Sequence, residues 1–354
     1  MKLFSLYKGV YRLGIVTALA AFLVVGCQSA DKGAKRNEEP MKRKEYAIAI
    51  HGGAGVISKD IDEKTKQEYL DALDEALSIG ENELKNGGKA LDAVEKVINY
   101  LENNPHFNAG KGAVYTATGE HELDAAIMDG HTMEAGAITG VRTVKNPISL
   151  ARLVMKNSRH ILFSVDGAEA FADKMGVERV KNSYFDTEHR YKQWKAAQKE
   201  SGHRIKVQPG SHDPDMWDAN KYGTVGCVAL DKEGHLAAGT STGGLTNKEY
   251  GRVGDVPIIG DGTYANSRVA VSATGIGEEI MRYNAGFRVA AYMRYKNASL
   301  EEATSHVIND VLKPGDAGII TVDQYGNIST PFNTLGMFRG KADSDGLHEV
   351  KIWE

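Results

Sequence analysis

Cysteine is scarce. Cys27 and Cys227 are the only two in 354 residues, which removes a disulfide framework or a cysteine-rich zinc site from consideration. An excess of one charge is also missing: 43 Lys and Arg face 47 Asp and Glu. The formal charge of −4 leaves no basic footprint for nucleic acid. The 39 glycines follow no G-X-Y period, yet at about 11% they exceed the usual ~7% and point to many tight turns between strands. What is there fits a folded protein, because 42% hydrophobic and 25% charged residues exclude wholesale disorder. The length suits one large domain or two ordinary ones and can bury a sizeable core without staples.

The N-terminus is a separate object. Lys2, Lys8 and Arg12 precede an uncharged, mostly apolar stretch from Leu13 to Val25, closed by Gly26-Cys27. Its 13 residues fall short of the ~20 that a transmembrane helix needs and have the layout of a secretory signal. Leu23-Val24-Val25-Gly26-Cys27 resembles a bacterial lipobox. That resemblance implies cleavage before Cys27 and lipidation of its new N-terminus. The protein would then sit in the cell envelope, on the periplasmic side or at the outer membrane, held by the lipid anchor only. An uncleaved anchor, or a translation start at Met41, are the competing readings. Loss of residues 1–26 shifts the formal charge from −4 to −7, and residues 27–44 read as a polar tether to one domain at 45–354. Cys227 lies in an apolar run and is expected in the core.

Along the body, the apolar run Tyr46 to Ile50 enters the glycine loop Gly52-Gly53-Ala54-Gly55 as a strand. Helical spacing of apolar residues predicts helices over 62–85 and 89–101, parted by Gly87-Gly88. Strands are predicted at 122–128 and 134–144, then helices near 147–157 and 166–175. Residues 181–221, rich in charge and poor in aliphatics, read as a mobile surface connection with a helix near 188–200. At Gly223 the composition changes abruptly. Strands at 224–231 and 235–240 flank a Lys232-Glu233-Gly234 turn, a similar pair spans 318–331 around Gly326, and 270–274 is a further strand. Helices fit 276–296 and 299–312. The pattern predicts an α/β fold of sheets covered by helices, without the strict alternation of a Rossmann-like sheet.

Several short motifs read best as ordinary structure. Gly52-Gly53-Ala54-Gly55 and Gly87-Gly88-Lys89 match neither phosphate-loop spacing and serve as turns. The 11 histidines include no H-x-x-x-H pair, and the three aspartates at 213–218 lack the spaced ligands of a calcium loop. Gly239-Thr240-Ser241-Thr242-Gly243 matches the serine-hydrolase elbow, but Gly243-Gly244 starts a helix poorly and only His306 and His348 follow. A denser constellation runs from 223 to 279: Gly223-Thr224, Thr240-Ser241-Thr242-Gly243-Gly244, Gly251-Arg252-Val253-Gly254-Asp255 and Ala273-Thr274-Gly275-Ile276-Gly277-Glu278. It places hydroxyls, an arginine, an aspartate and glycine backbone at strand ends.

With His51-Gly52-Gly53-Ala54-Gly55, Phe107-Asn108-Ala109-Gly110-Lys111-Gly112 and Pro331-Phe332-Asn333-Thr334, this constellation resembles the plant-type asparaginases, or isoaspartyl peptidases, of the N-terminal-nucleophile hydrolases. The resemblance covers about residues 46–340. It implies a four-layer αββα sandwich and self-cleavage between Gly223 and Thr224, giving an α chain of 27–223 and a β chain of 224–354. Cleavage would free the Thr224 amine as the base for its own hydroxyl. Thr242 would orient that hydroxyl, Thr274 and the Gly275 N–H would form the oxyanion hole, and Arg252, Asp255 and Gly277 would bind substrate. No cofactor is implied for catalysis. A structural sodium ion on the backbone carbonyls of Leu101, Glu102, Asn104, Phe107, Ala109 and Lys111 is implied, beside the plainer reading of a turn after a helix. The implied substrates are small β-aspartyl amides, L-asparagine or isoaspartyl peptides, and the implied assembly is (αβ)2. Asp261 departs from the family pattern, where alanine is usual, and either alters substrate choice near Arg252 or faces solvent. Two rivals remain: a glycosylasparaginase cleaving GlcNAc-Asn, and a lipid-anchored binding protein for acidic amino acids.

Overall fold

The computed structural model describes residues 42–201 and 223–354; the leader, Cys27 and positions 202–222 lie outside the described residues. Strand β1 (Ala47–Gly55) is buried along its whole length. Its parity sets the layers: Ile48 and Ile50 point into one core and Ala47 and Ala49 into another, because successive side chains on a strand face opposite ways. Helices α1 (Glu63–Lys85) and α2 (Ala90–Asn103) cover the first face with Leu73, Leu77, Val94 and Ile98. Strands β2 (Leu123–Asp129) and β3 (Ala135–Val141) lead to α3 (Pro147–Asn157), β4 (Leu162–Ser164) and α4 (Val165–Met175). Helix α5 spans Glu188–Ser201. Beyond position 222 come β5 (Val225–Leu230), β6 (Leu236–Thr242), β7 (Thr263–Ala265), β8 (Val269–Gly275), α6 (Gly277–Tyr283), α7 (Ala285–Lys296) and α8 (Leu300–Ser305). Strands β9 (Ala317–Asp323), β10 (Ile328–Ser329), β11 (Gly336–Asp343) and β12 (His348–Lys351) end the chain.

Eight strands pair in the order β12-β11-β1-β5-β6-β2-β3-β4, and four in the order β10-β9-β8-β7. Among these described strand pairs only β3 with β4 is parallel. The second core lies between the two sheets and continues under α7 and α8, with Val228, Leu236, Val271, Ile319, Val289 and Val307 among its members. Helix, sheet, sheet, helix is the expected αββα sandwich. No helix of the described residues is long and apolar enough to cross a membrane.

Three expectations need correction. The connection over 181–221 is packed at least through its first half. Phe185 is fully buried, Arg190 is 4% exposed, and the Trp194 ring stacks on Tyr115 with centroids 5.3 Å apart. Charge density over the window hid these anchors. The helix expected over 276–296 breaks at Asn284, whose φ of 49° is left-handed, so α6 and α7 are separate. Strands β4, β7, β11 and β12 were not anticipated, being short or crossed by charged residues.

Candidate active site

Strand register brings the two threonines together. Val225 pairs with Ser241, so the residue before β5 and the last residue of β6 lie side by side at one sheet end. Thr224 Oγ1 donates to Thr242 Oγ1 at 3.1 Å, and Thr242 also accepts the Gly244 N–H at 3.0 Å. The Thr224 carbonyl is fixed from the other side. His51 Nδ1 lies 3.0 Å from Thr224 O and must donate to it, leaving Nε2 to accept from Ser272 Oγ at 2.9 Å. Burial pushes the His51 pKa down to about 3, so this imidazole stays neutral and keeps that tautomer. A side chain at Gly226 would lie 2.1 Å from Ser272 Oγ, and glycine leaves the path open. Ser272 continues to Thr240 at 2.8 Å, and Thr263 donates to Thr240 at 2.7 Å.

Asn108 clamps Gly223. Its N–H donates to Gly223 O at 2.9 Å, its Nδ2 donates to Gly244 O, and its Oδ1 accepts the Val114 N–H. Gly53, with φ of +114°, approaches Gly223 so closely that a Cβ would come 2.4 Å from the Gly223 α-carbon. The neighbouring Ala54 N–H donates to Thr274 Oγ1 at 3.3 Å, which ties the end of β8 to the same loop. Gly275 follows with φ of +145°, and a Cβ there would strike Asp316 O at 2.1 Å.

Arg252, Asp255 and Gly277 converge as well. A Cβ at Gly277 would lie 2.7 Å from Arg252 Nη2 and 2.8 Å from Asp255 Oδ1, so this glycine leaves a cradle between opposite charges. The Arg252 guanidinium is held by Glu278 through Nε at 2.9 Å and Nη2 at 2.8 Å. Asp255 is buried, its Oδ2 has no hydrogen-bond partner, and burial pushes its pKa up to about 7. Asp261 does not face solvent: it is 4% exposed and accepts from Asn284 Nδ2 at 2.9 Å. Its charge adds to the pressure that raises Asp255.

Residues 44–352 match the asparaginase family. The chain belongs to it. Isoaspartyl peptidase of Escherichia coli is 45% identical over 313 residues, which cover 86% of this chain and 96% of that protein. Probable isoaspartyl peptidase/L-asparaginase 2 of Arabidopsis thaliana is 44% identical, covering 87% and 99%. Plant-type L-asparaginase of Pyrococcus abyssi is 42% identical, covering 82% and 94%.

In this asparaginase-family chain the loop after α2 fits a cation that accepts neutral oxygens. A Cβ at Gly110 would come 2.3 Å from Glu102 O, and one at Gly112 would come 2.2 Å from Phe107 O, so two glycines leave a cradle lined with carbonyls. Leu101 O and Ala109 O accept long hydrogen bonds of 3.2 and 3.3 Å from Asn104 and Gly112, and the Lys111 ammonium turns away to Tyr184 O. The Glu102 side chain is a separate matter. It is buried, accepts from Ser241 Oγ, the Ile148 N–H and Asn146 Nδ2, and desolvation pushes its pKa up to about 8. Among the described residues no group of three His, Cys, Asp or Glu could hold a metal ion.

Sequence reasoning assigned no role to Asn108, His51 or Glu278. All three lie within recognisable motifs, but Asn108 and His51 act on backbone carbonyls, and a linear pattern does not reveal such partners.

Proposed function

We propose that the chain is an isoaspartyl peptidase with L-asparaginase activity that matures by cutting itself between Gly223 and Thr224. The observation that carries this reading is the Thr224–Thr242 hydroxyl pair beside a Gly223 carbonyl gripped by the Asn108 N–H. In the precursor, Thr224 Oγ attacks the Gly223 carbonyl carbon, and the Asn108 N–H receives the charge developing on oxygen. The resulting ester hydrolyses, leaving chains 27–223 and 224–354. The freed Thr224 amine, with an ordinary pKa near 7.7–8.0, then takes the proton of its own hydroxyl.

Substrate binds by its aspartyl head. The α-ammonium pairs with the unpartnered Asp255 oxygen, and the α-carboxylate replaces Glu278 on the Arg252 fork. Thr224 Oγ attacks the β-carbonyl, with Thr274 Oγ1 and the Gly275 N–H stabilising the oxyanion. As the C–N bond breaks, the leaving nitrogen takes the proton held by the Thr224 ammonium. Water then hydrolyses the ester to aspartate. A sodium ion on the carbonyls of Leu101, Glu102, Asn104, Phe107, Ala109 and Lys111 would brace the loop that carries Asn108. The further parts of this reading are a lipid anchor at Cys27 in the cell envelope and an (αβ)2 assembly.

Denaturing mass spectrometry of protein made without residues 1–26 tests the proposal. Two species, one beginning at Thr224, are expected. A folded chain that remains whole after long incubation sinks the mechanism and favours an acidic amino-acid binding protein.

A further inference from the structure

A guanidinium without a counter-ion among the described residues lies beside the bond proposed to break. Arg190, in the first turn of α5, is 4% exposed. Its partners are neutral oxygens: Gly112 O at 2.8 Å, Gln193 Oε1 at 2.9 Å and His106 O at 3.4 Å. Two of its five N–H groups are left without an acceptor among the described residues, and no carboxylate of those residues lies within ion-pair distance. A buried charge in this state calls for an anion. Arg190 lines a cavity of about 450 Å³ together with Gly53, Gly223, His106, His189 and Phe338. A Cβ on Gly223 would lie 3.4 Å from Arg190 Nη2, so the guanidinium is close to the acyl side of Thr224.

Thr224 chemistry determines what enters that space. The leaving nitrogen collects its proton from the Thr224 ammonium and therefore lies on the amine side of Thr224, where the Gly223 end lies before cleavage. In a β-aspartyl dipeptide the released residue carries its own α-carboxylate two bonds from that nitrogen. We propose that Arg190 binds the α-carboxylate of the released amino acid, making free-acid β-aspartyl dipeptides the favoured substrates of this site. Phe338 and Tyr69, stacked with ring centroids 4.3 Å apart, give the same cavity an apolar wall for the released side chain. This inference rests on the proposed function and specifies its leaving group.

The test compares kcat/KM for β-Asp-Leu and β-Asp-Leu-amide on the matured enzyme and on Arg190→Gln and Arg190→Lys. A charge-assisted pair supports a preference for the free acid of about ten- to a hundredfold in the wild type. That ratio should fall toward one in Arg190→Gln and survive in part in Arg190→Lys. A wild-type ratio near one overturns the assignment without any variant having to fold. A variant that slows both substrates equally also overturns it, since a merely structural arginine acts so. The same carboxylate chemistry has a second source, the new terminus of Gly223. A wild-type ratio near one with an α-chain terminus that resists carboxypeptidase, and is trimmed in Arg190→Gln, would give the site to Gly223 instead. Failure of the underlying mechanism looks different, because the wild type would then stay uncut or hydrolyse neither dipeptide.

Discussion

Asp255 is where residue chemistry becomes measurable. In the proposed mechanism its carboxyl, raised to about 7, must be ionised to hold an ammonium, and the free Thr224 amine must be neutral to act as base. Both requirements fail as pH falls, so log kcat/KM should approach a slope of two below about pH 6. Bound substrate keeps Asp255 ionised, so log kcat should approach a slope of only one. A pH–rate profile resolves the two. Gly277→Ala probes the cradle directly, since its Cβ would sit 2.7–2.8 Å from Arg252 and Asp255. KM should rise tenfold or more while mass spectrometry still finds the cleaved chains. At this scale the sequence was informative where the family resemblance points to a chemistry, as with the roles proposed for Thr224, Thr242 and Asp255. It was silent about Arg190, which lies among exposed charges and is distinguished only by burial.

Among the elements, the junction of α6 and α7 shows what periodicity misses. Apolar spacing runs on through 276–296, but Asn284 adopts a left-handed conformation and spends its side chain on Asp261. Asn284→Ala forfeits both and should cost roughly 1–2 kcal/mol, with Asn284→Gly losing less. Urea denaturation of the two variants measures this. The amphipathic helices α1 to α4 were legible within about two residues, because each presents one apolar stripe to a sheet. The last two strands, β11 and β12, were not. In β11, Arg339 and Lys341 interrupt the expected apolar run; Arg339 reaches the carbonyls of Met337, Ile352 and Trp353, and Lys341 pairs with Glu349 on β12.

At the scale of the molecule, the proposed cut does not separate two domains. Strand β1 belongs to the first chain, yet it is hydrogen-bonded on one side to β5 and on the other to β11, both of the second. The cleaved chains should therefore elute together in size-exclusion chromatography and part only in denaturant. Buried Cys227, its thiol pushed up by desolvation, should stay silent toward Ellman's reagent until the same denaturant concentration. The central position of β1 has a consequence for the protein's lifetime. An uncut chain finds that strand's neighbours as a first-order search, whereas a cut one that has come apart must find them by collision with another molecule, at whatever concentration the cell supplies. The proposed maturation would thus trade reversibility for activity: each molecule would fold before it is armed, and afterwards its persistence would be governed by how slowly it opens rather than by how well it could refold.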